Sequence, residues 1–239
     1  GGKKRQAAAS ADGEGDAKRK RADFAIGDSG VFFTTVTPGG AGTAKRELHR
    51  LLEDELKKLE TSKPSLAPCN AEVAKGTGFI KFAGEAGAAA PSRVVAQMLE
   101  ACRSEYQATR ISTTGKLLCR VLPIDHTCKP SIADFRALAK EVLTPHIGAE
   151  ADPTVWALEF RARNANSLKK EAVLEVIDEI APKGRHTVNL GNPDKCILVE
   201  VNPLFCGLSV LSQWAALKKY NLNALTTPDP NAPKPAAAA

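Results

Sequence analysis

Several signatures of catalysis and of transport are missing from this 239-residue chain. No apolar run approaches the length of a membrane-spanning helix and no secretory signal peptide is present, which predicts a soluble intracellular protein. The six cysteines, Cys69, Cys102, Cys119, Cys128, Cys196 and Cys206, contain no CxxC pair. Most sit inside apolar runs, so they read as buried free thiols of a reducing compartment. Cys119 and Cys128 flank His126, but no second close pair completes a zinc tetrahedron, and no metal is expected. There is no GxGxxG turn for the cofactor of a doubly wound methyltransferase and no GxxxxGK[ST] loop for ATP. A zinc deaminase needs HxE with a distant PCxxC, and "DHTC" supplies neither. His49, His126, His146 and His186 pair with no nucleophile in a readable pattern and are expected to be surface or packed residues. These absences point away from an enzyme and toward a binding protein with no catalytic residues and no cofactor. The Gly1-Gly2 start lacks an initiator Met, as a fragment of a longer protein would.

What is present is a modest excess of positive charge. Lys and Arg number 33 against 27 Asp and Glu, giving +6 and a pI near 9.0. Residues 1–22 hold seven basic and three acidic side chains, residues 23–109 ten and eleven, and residues 110–225 fifteen and twelve. A basic bias in one region suits a polyanionic partner without proving one. The first segment is Ala/Gly-rich and nearly free of large apolar residues, so it is expected to be a disordered basic tail. Its "KRKR" run at 18–21 resembles a nuclear-import signal, with a solvated charge run or a nonspecific RNA-binding arm as the alternative. The last segment, "TTPDPNAPKPAAAA", reads as a low-complexity tail.

Between the tails, apolar periodicity alternates between strand and helix, and two small α/β units fit the length best. "GVFFTTVT" and "TGFIKF" read as strands, a helix from Thr43 carries Leu48, Leu52 and Leu56, and "SKPSLAPCN" reads as a loop. Ser92 opens a second helix, and the series begins a split α/β unit. "KLLCRVLPI" is a further strand. "SIADFRALAKEVL" is a helix capped by Ser131 and Asp134 and closed by Pro145. In "TVWALEFRAR", apolar residues alternate with Glu159, Arg161 and Arg163, which predicts one buried face and two outward guanidinium groups. The next helix follows Ser167. "CILVEV" has the composition of a central strand, with "FCGLSVL" able to pair beside it.

The junction at 161–170 concentrates charge where a helix least accommodates it. A helix N-terminus already carries partial positive charge, so exposed cations there cost about 0.3 to 1 kcal/mol each. Lys169 and Lys170 sit at that end, after Arg161, Arg163, Asn164, Asn166 and Ser167. Free amides, ammonium and guanidinium groups would together suit phosphate oxygens. The alternative is two solvated lysines screened by Glu171 and Glu175. A second loop, "VNLGNPDK", offers Asn189, Asn192 and Lys195 around a turn, or is simply a connection into the central strand.

Taken together, "FRARN", the Lys-Lys helix start, "VNLGNPDKCILVEV" and "CGLSVL" resemble a THUMP domain, an RNA-binding module of tRNA-modifying proteins. "LLCRVLPIDHTCKPS" and "WAALKKYNL" resemble the eukaryotic THUMP-domain adaptor of tRNA acetylation, and the likeness runs from about residue 30 to 225. Some of those relatives carry a long acidic insertion where residues 61–75 form a short loop here. The resemblance implies a mixed α/β (α+β) fold in which an N-terminal ferredoxin-like domain (23–90) packs on a THUMP domain (91–212). A helix end and a disordered tail would occupy 213–239. It implies binding to the acceptor end and D-arm region of tRNA and partnership with an RNA cytidine acetyltransferase. That enzyme would then form N4-acetylcytidine in the D-arm of serine and leucine tRNAs, in the nucleus or nucleolus. The RNA-facing candidates it implies are Arg161, Arg163, Asn164, Lys169, Lys170, Asn189, Asn192 and Lys195, with Arg120, Lys218 and Lys219 as weaker ones. The rival reading is a fragment of a THUMP-containing tRNA-modifying enzyme without its catalytic domain.

Overall fold

Val31, Phe32 and Phe33 cannot remain in water, and they form the middle of strand β1 (Ser29–Thr35), fully buried at the centre of a sheet. The computed structural model describes residues 24–228 apart from 60–62, 70–72, 85–87, 113 and 115; the "KRKR" run and residues 229–239 lie outside it. Helix α1 (Ala41–Lys58) follows, then β2 (Ser65–Cys69), β3 (Thr77–Ala83), α2 (Pro91–Thr109) and β4 (Leu118–Ile124). The sheet order is β2-β3-β1-β4 and every pairing is antiparallel. Two β-α-β halves interleaved in this way make the ferredoxin-like unit. Leu48, Leu52 and Leu56 of α1 and Val94, Val95, Met98 and Leu99 of α2 join its core.

Two differences from the sequence reading have physical causes. "SLAPC" was expected in a loop but is the edge strand β2, with Pro68 opposite Ile80. An edge is the place in a sheet where a residue without an N–H fits. Because β4 pairs with β1 and α2 packs against both, the first unit continues to Ile124, past the expected boundary at 90. The apolar faces of α2 and β4 are used up in covering the first sheet.

At Asp125 the chain passes to a second sheet. Its elements are β5 (His126–Cys128), α3 (Ile132–Ile147), β6 (Val155–Ala162), α4 (Lys170–Ile180), β7 (Thr187–Val188), β8 (Lys195–Val201) and β9 (Cys206–Leu211). The order is β5-β9-β8-β6-β7, with β8 parallel to β6 and antiparallel to β9, so "CILVEV" is central and pairs with "CGLSVL". Ser131 accepts a bond from the Asp134 amide at the start of α3, as expected of the cap. Pro145 does not close that helix, which runs on to Ile147. Without an N–H, Pro145 forfeits one bond near the end, and the Gly148 amide closes the last turn on the Thr144 carbonyl. Phe135, Leu143, Val173, Val176 and Ile177 cover one face of the sheet together with Trp156, Ile197 and Val199.

The other face meets the first unit. Cys196, Leu198 and Leu211 belong to the core of the first sheet. Phe205, from the β8–β9 turn, is fully buried among Phe24, Phe32 and Phe79, with ring centroids 4.7, 6.5 and 5.7 Å away. Burying one such ring contributes roughly 2 to 3 kcal/mol, so this turn is a principal tie between the units. The last described elements are a turn at 218–220 and a short helix α5 (Leu222–Leu225).

Candidate nucleic-acid interface

The alternation of strand β6 places Glu159, Arg161 and Arg163 on one face, but that face looks toward the first unit, so neither guanidinium is free in solvent. Arg161 donates to Glu159 at 2.5 Å, and its side chain is only about a quarter exposed. Arg163 donates to Glu200 at 2.5 Å and lies 5.3 Å over the ring of Phe32 in the first sheet. Glu200 is fully buried. Burial pushes its pKa up, and the facing Arg163 opposes the shift. Such a pair is costly to break, because the surviving partner is left as an unpaired buried charge. Arg163 therefore serves as a strut between the units.

Asn164 takes a left-handed backbone, φ 50°, and its amide donates to the Val73 carbonyl of the first unit at 2.8 Å. Asparagine tolerates this conformation better than most side chains, which suits it to the tight exit from β6. Arg120 also turns inward: its guanidinium donates to the Lys219 carbonyl at 2.8 Å, and burial followed by the nearby Arg161 pulls its pKa down. That bond helps to hold residues 218–220, whose φ angles of 49°, 58° and 57° are left-handed at Lys218, Lys219 and Tyr220. The anticipated helix end there is a strained turn. The Tyr220 hydroxyl, bonded to the Ser212 carbonyl, and its ring stacked on Trp214 also fix it. Lys218 and Lys219 are exposed on its outside.

Lys169 and Lys170 differ from all of these. Helix α4 begins at Lys170, with Lys169 as an extended N-cap that supplies no side-chain bond to the first amides. The chain enters over Leu168, which is buried at 3 % exposure and fixes the approach. Both lysines are exposed, and neither ammonium has an ion-pair partner among the described residues. Glu171 is the acidic residue of the first turn. A bare helix start with two unpaired ammonium groups is an anion-facing arrangement.

The second loop lies elsewhere. Lys195 pairs with Trp156 across the β6–β8 ladder, and the Asn189 amide donates to the Trp156 carbonyl. These residues mark the start of β6, whereas Arg161, Arg163, Asn164 and the lysine pair mark its end, on the order of 20 Å away along the strand. Asn189 is spent on the loop itself, its side-chain Oδ1 accepting the backbone amides of Gly191 and Asn192. Lys195 donates to the His146 carbonyl at 3.2 Å and Asn192 is exposed. The sequence reading thus joined two groups that stand at opposite ends of one sheet. The fold also brings Arg93, far away in sequence on α2, to the same cleft as Lys195 and His146. No local pattern around Arg93 signals that proximity.

Among the described residues, no three His, Cys, Asp or Glu side chains form a group able to hold a metal ion, and no helix is long and apolar enough to cross a membrane. Five cysteines are buried and Cys119 is partly so, with no disulfide among the described residues. Burial drives the Cys196 thiol up to about 12, which makes it a poor nucleophile.

Comparison with known proteins supplies the remaining evidence. Residues 129–211 match the model of the THUMP domain. The chain is similar to THUMP domain-containing protein 1 of Mus musculus, 28% identical over 134 residues, which covers 55% of this chain and 37% of that protein. It is similar to the THUMP domain-containing protein 1 homolog of Drosophila melanogaster, 30% identical over 124 residues, covering 49% and 38%. The solved THUMP domain of THUMP domain-containing protein 1 aligns with 24% identity and a TM-score of 0.30, covering 34% of this chain and 84% of that one. The matched region spans little more than a third of the length of these curated relatives. The second unit of this molecule, with its lysine pair at the head of α4, is accordingly similar to a THUMP domain across residues 129–211.

Proposed function

We propose that this chain is a non-catalytic tRNA-binding adaptor. Its THUMP unit grips the RNA backbone. The whole molecule presents serine and leucine tRNAs, through their acceptor end and D-arm region, to an RNA cytidine acetyltransferase that forms N4-acetylcytidine. The place of action in this reading is the nucleus, with the nucleolus as the site of enrichment. The observation that carries it is the pair of unpartnered ammonium groups of Lys169 and Lys170 at an uncapped helix start. A phosphate placed there receives backbone amides and two cations together. The THUMP match over 129–211 and the likeness to THUMP domain-containing protein 1 support the same reading.

The chemistry asked of such a protein is positioning. RNA phosphates dominate the affinity of cationic surfaces, so binding should weaken steeply as salt rises. A single-stranded RNA end suits this surface because its phosphates are clamped while its bases stay unstacked. Arg163 acts differently, its contact with Phe32 helping to hold the two units together so that contacts on both can meet one RNA.

The test is reconstitution. Capture of the tagged chain from extract should bring down tRNA and an RNA acetyltransferase, and adding the chain to that enzyme should raise acetylation of serine and leucine tRNAs. Acetyl transfer by the isolated chain would contradict the adaptor role. Capture of neither tRNA nor acetyltransferase would remove the assignment.

A further inference from the structure

A cleft of about 380 Å³ opens at the seam between the two units, on the side of the β6–β8 pair away from Lys169 and Lys170. Separate segments converge on it: the first turn of α2 with Arg93, the last turn of α3 with His146, the start of β8 with Lys195, and the end of β9 with Leu211. Tyr220, held in its left-handed turn, completes the wall. Among the described residues, no carboxylate lines this space.

Asp125, a carboxylate outside the lining, accepts the Ser92 backbone amide at 2.8 Å and forms no ion pair with Arg93 or Lys195. Arg93 is exposed, has no ion-pair partner among the described residues, and sits in a helical first turn without an acidic residue. The Lys195 ammonium uses one donor on the His146 carbonyl at 3.2 Å, and two more N–H groups remain. Burial, with Lys195 as the second cause, holds His146 below its ordinary pKa, so near neutral pH it offers a neutral ring. Ala96 and Val210 are partly exposed and, backed by the buried Leu211 and Tyr220, give the cleft an apolar wall. A space of this size with cations at one side and an apolar surface at the other fits a ligand that is anionic at one end and flat at the other.

We propose that this seam cleft binds a nucleoside monophosphate unit, with the phosphate held by Arg93 and Lys195 and the base against Ala96 and Val210. Arginine presents a planar fork to phosphate oxygens and lysine a point charge, so the pair supplies orientation as well as attraction. The inference deepens the RNA-binding reading and rests on it where the unit is one residue of an RNA strand. A free nucleotide presents the same chemistry.

The experiment titrates the full chain with adenosine 5′-monophosphate, with inorganic phosphate and with adenosine, by calorimetry, and with tRNA in parallel. The wild type, Arg93→Ala and the Lys169→Ala/Lys170→Ala double variant are compared. Saturable binding of the monophosphate is expected, tighter than that of either fragment. Arg93→Ala should weaken it about ten-fold, the loss of one charge-assisted contact, with an unchanged thermal midpoint. The double lysine variant should keep the saturable, Arg93-dependent component of monophosphate binding. Competition between excess monophosphate and tRNA that persists in the double lysine variant and is lost in Arg93→Ala would identify an RNA residue as the occupant, and saturable binding without such competition a free nucleotide. Absence of saturable monophosphate binding, or binding indifferent to Arg93→Ala, overturns the proposal. Failure of the wild type to bind tRNA while it still binds the monophosphate overturns the RNA-binding reading and leaves the cleft standing.

Discussion

Arg163 and Lys169 carry the same charge a few residues apart, yet one side chain is folded into the molecule and the other is left out of it. Arg163 meets a fully buried carboxylate and an aromatic ring of the neighbouring unit. Lys169 meets no counter-ion among the described residues. The contrast teaches that a basic run is not one surface. Period-two alternation in β6 directs its arginines toward the first unit, and the turn at Asn164 then releases the chain so that the lysines emerge at the head of a helix. Charge that braces the architecture and charge that is available to a ligand adjoin in sequence and divide in space.

The largest expected effect breaks the bracing half. Arg163→Ala should leave Glu200 unpaired in the interior and cost on the order of 3 kcal/mol. For a chain of this size that lowers the thermal midpoint by roughly 6 to 12 °C, measured by calorimetry. Glu200→Gln with Arg163 intact should cost less, since a neutral amide still accepts the guanidinium bond. Below the melting range, RNA affinity of the Arg163→Ala variant should change far less than its stability. A large affinity loss in a fully folded variant would put Arg163 back among the RNA contacts.

The second effect breaks the other half. Lys169→Ala/Lys170→Ala should leave the thermal midpoint within the range of ordinary surface substitutions, about 0.5 kcal/mol either way. RNA binding should weaken by roughly ten-fold for each phosphate contact removed. Filter binding gives the affinity and a thermal melt the stability. The two variants should therefore exchange phenotypes.

A smaller effect sharpens the comparison at a third basic position. Lys219 has φ 58° and ψ 40°, a conformation that disfavours any side chain with a Cβ. Lys219→Gly should raise stability by up to about 1 kcal/mol, because the native backbone no longer strains the residue. A loss of stability would show that its side-chain packing outweighs the strain.

The ferredoxin-like order of the first unit was only partly legible in the sequence. β1, β3 and the apolar stripes of α1 and α2 show plain periodicity. The edge strand "SLAPC" does not, because Pro68 and a short length resemble a loop until β3 is seen to pair with it. The central strands of the second unit were readable from composition, since β8 is buried on both faces. The destination of the β6 arginines was not. Alternation indicates that Arg161 and Arg163 share a face, but only the tertiary fold shows Glu200 and Phe32 waiting on it. The separation of Asn189, Asn192 and Lys195 from the lysine pair follows from parallel pairing of β6 and β8, a relation that no local pattern carries.

The smallest effect concerns pH. Burial raises the pKa values of Glu200 and Asp125 in the folded state. Between the unfolded and the raised folded values the native state holds more protons, so the contribution of these groups to stability grows as pH falls through that window. It diminishes again as pH rises through the folded values. Glu200→Gln should flatten this dependence in melts taken on the acid side of neutrality, and a slope unchanged by the substitution would remove Glu200 as its source.

The most direct measurement of the central claim is tRNA affinity as a function of salt for the wild type and the Lys169→Ala/Lys170→Ala variant. Two lost phosphate contacts should reduce the slope of log affinity against log salt by about 1.4 to 1.8, with the melting temperature unchanged. An identical slope and affinity in the folded variant would contradict the assignment of these lysines to the RNA.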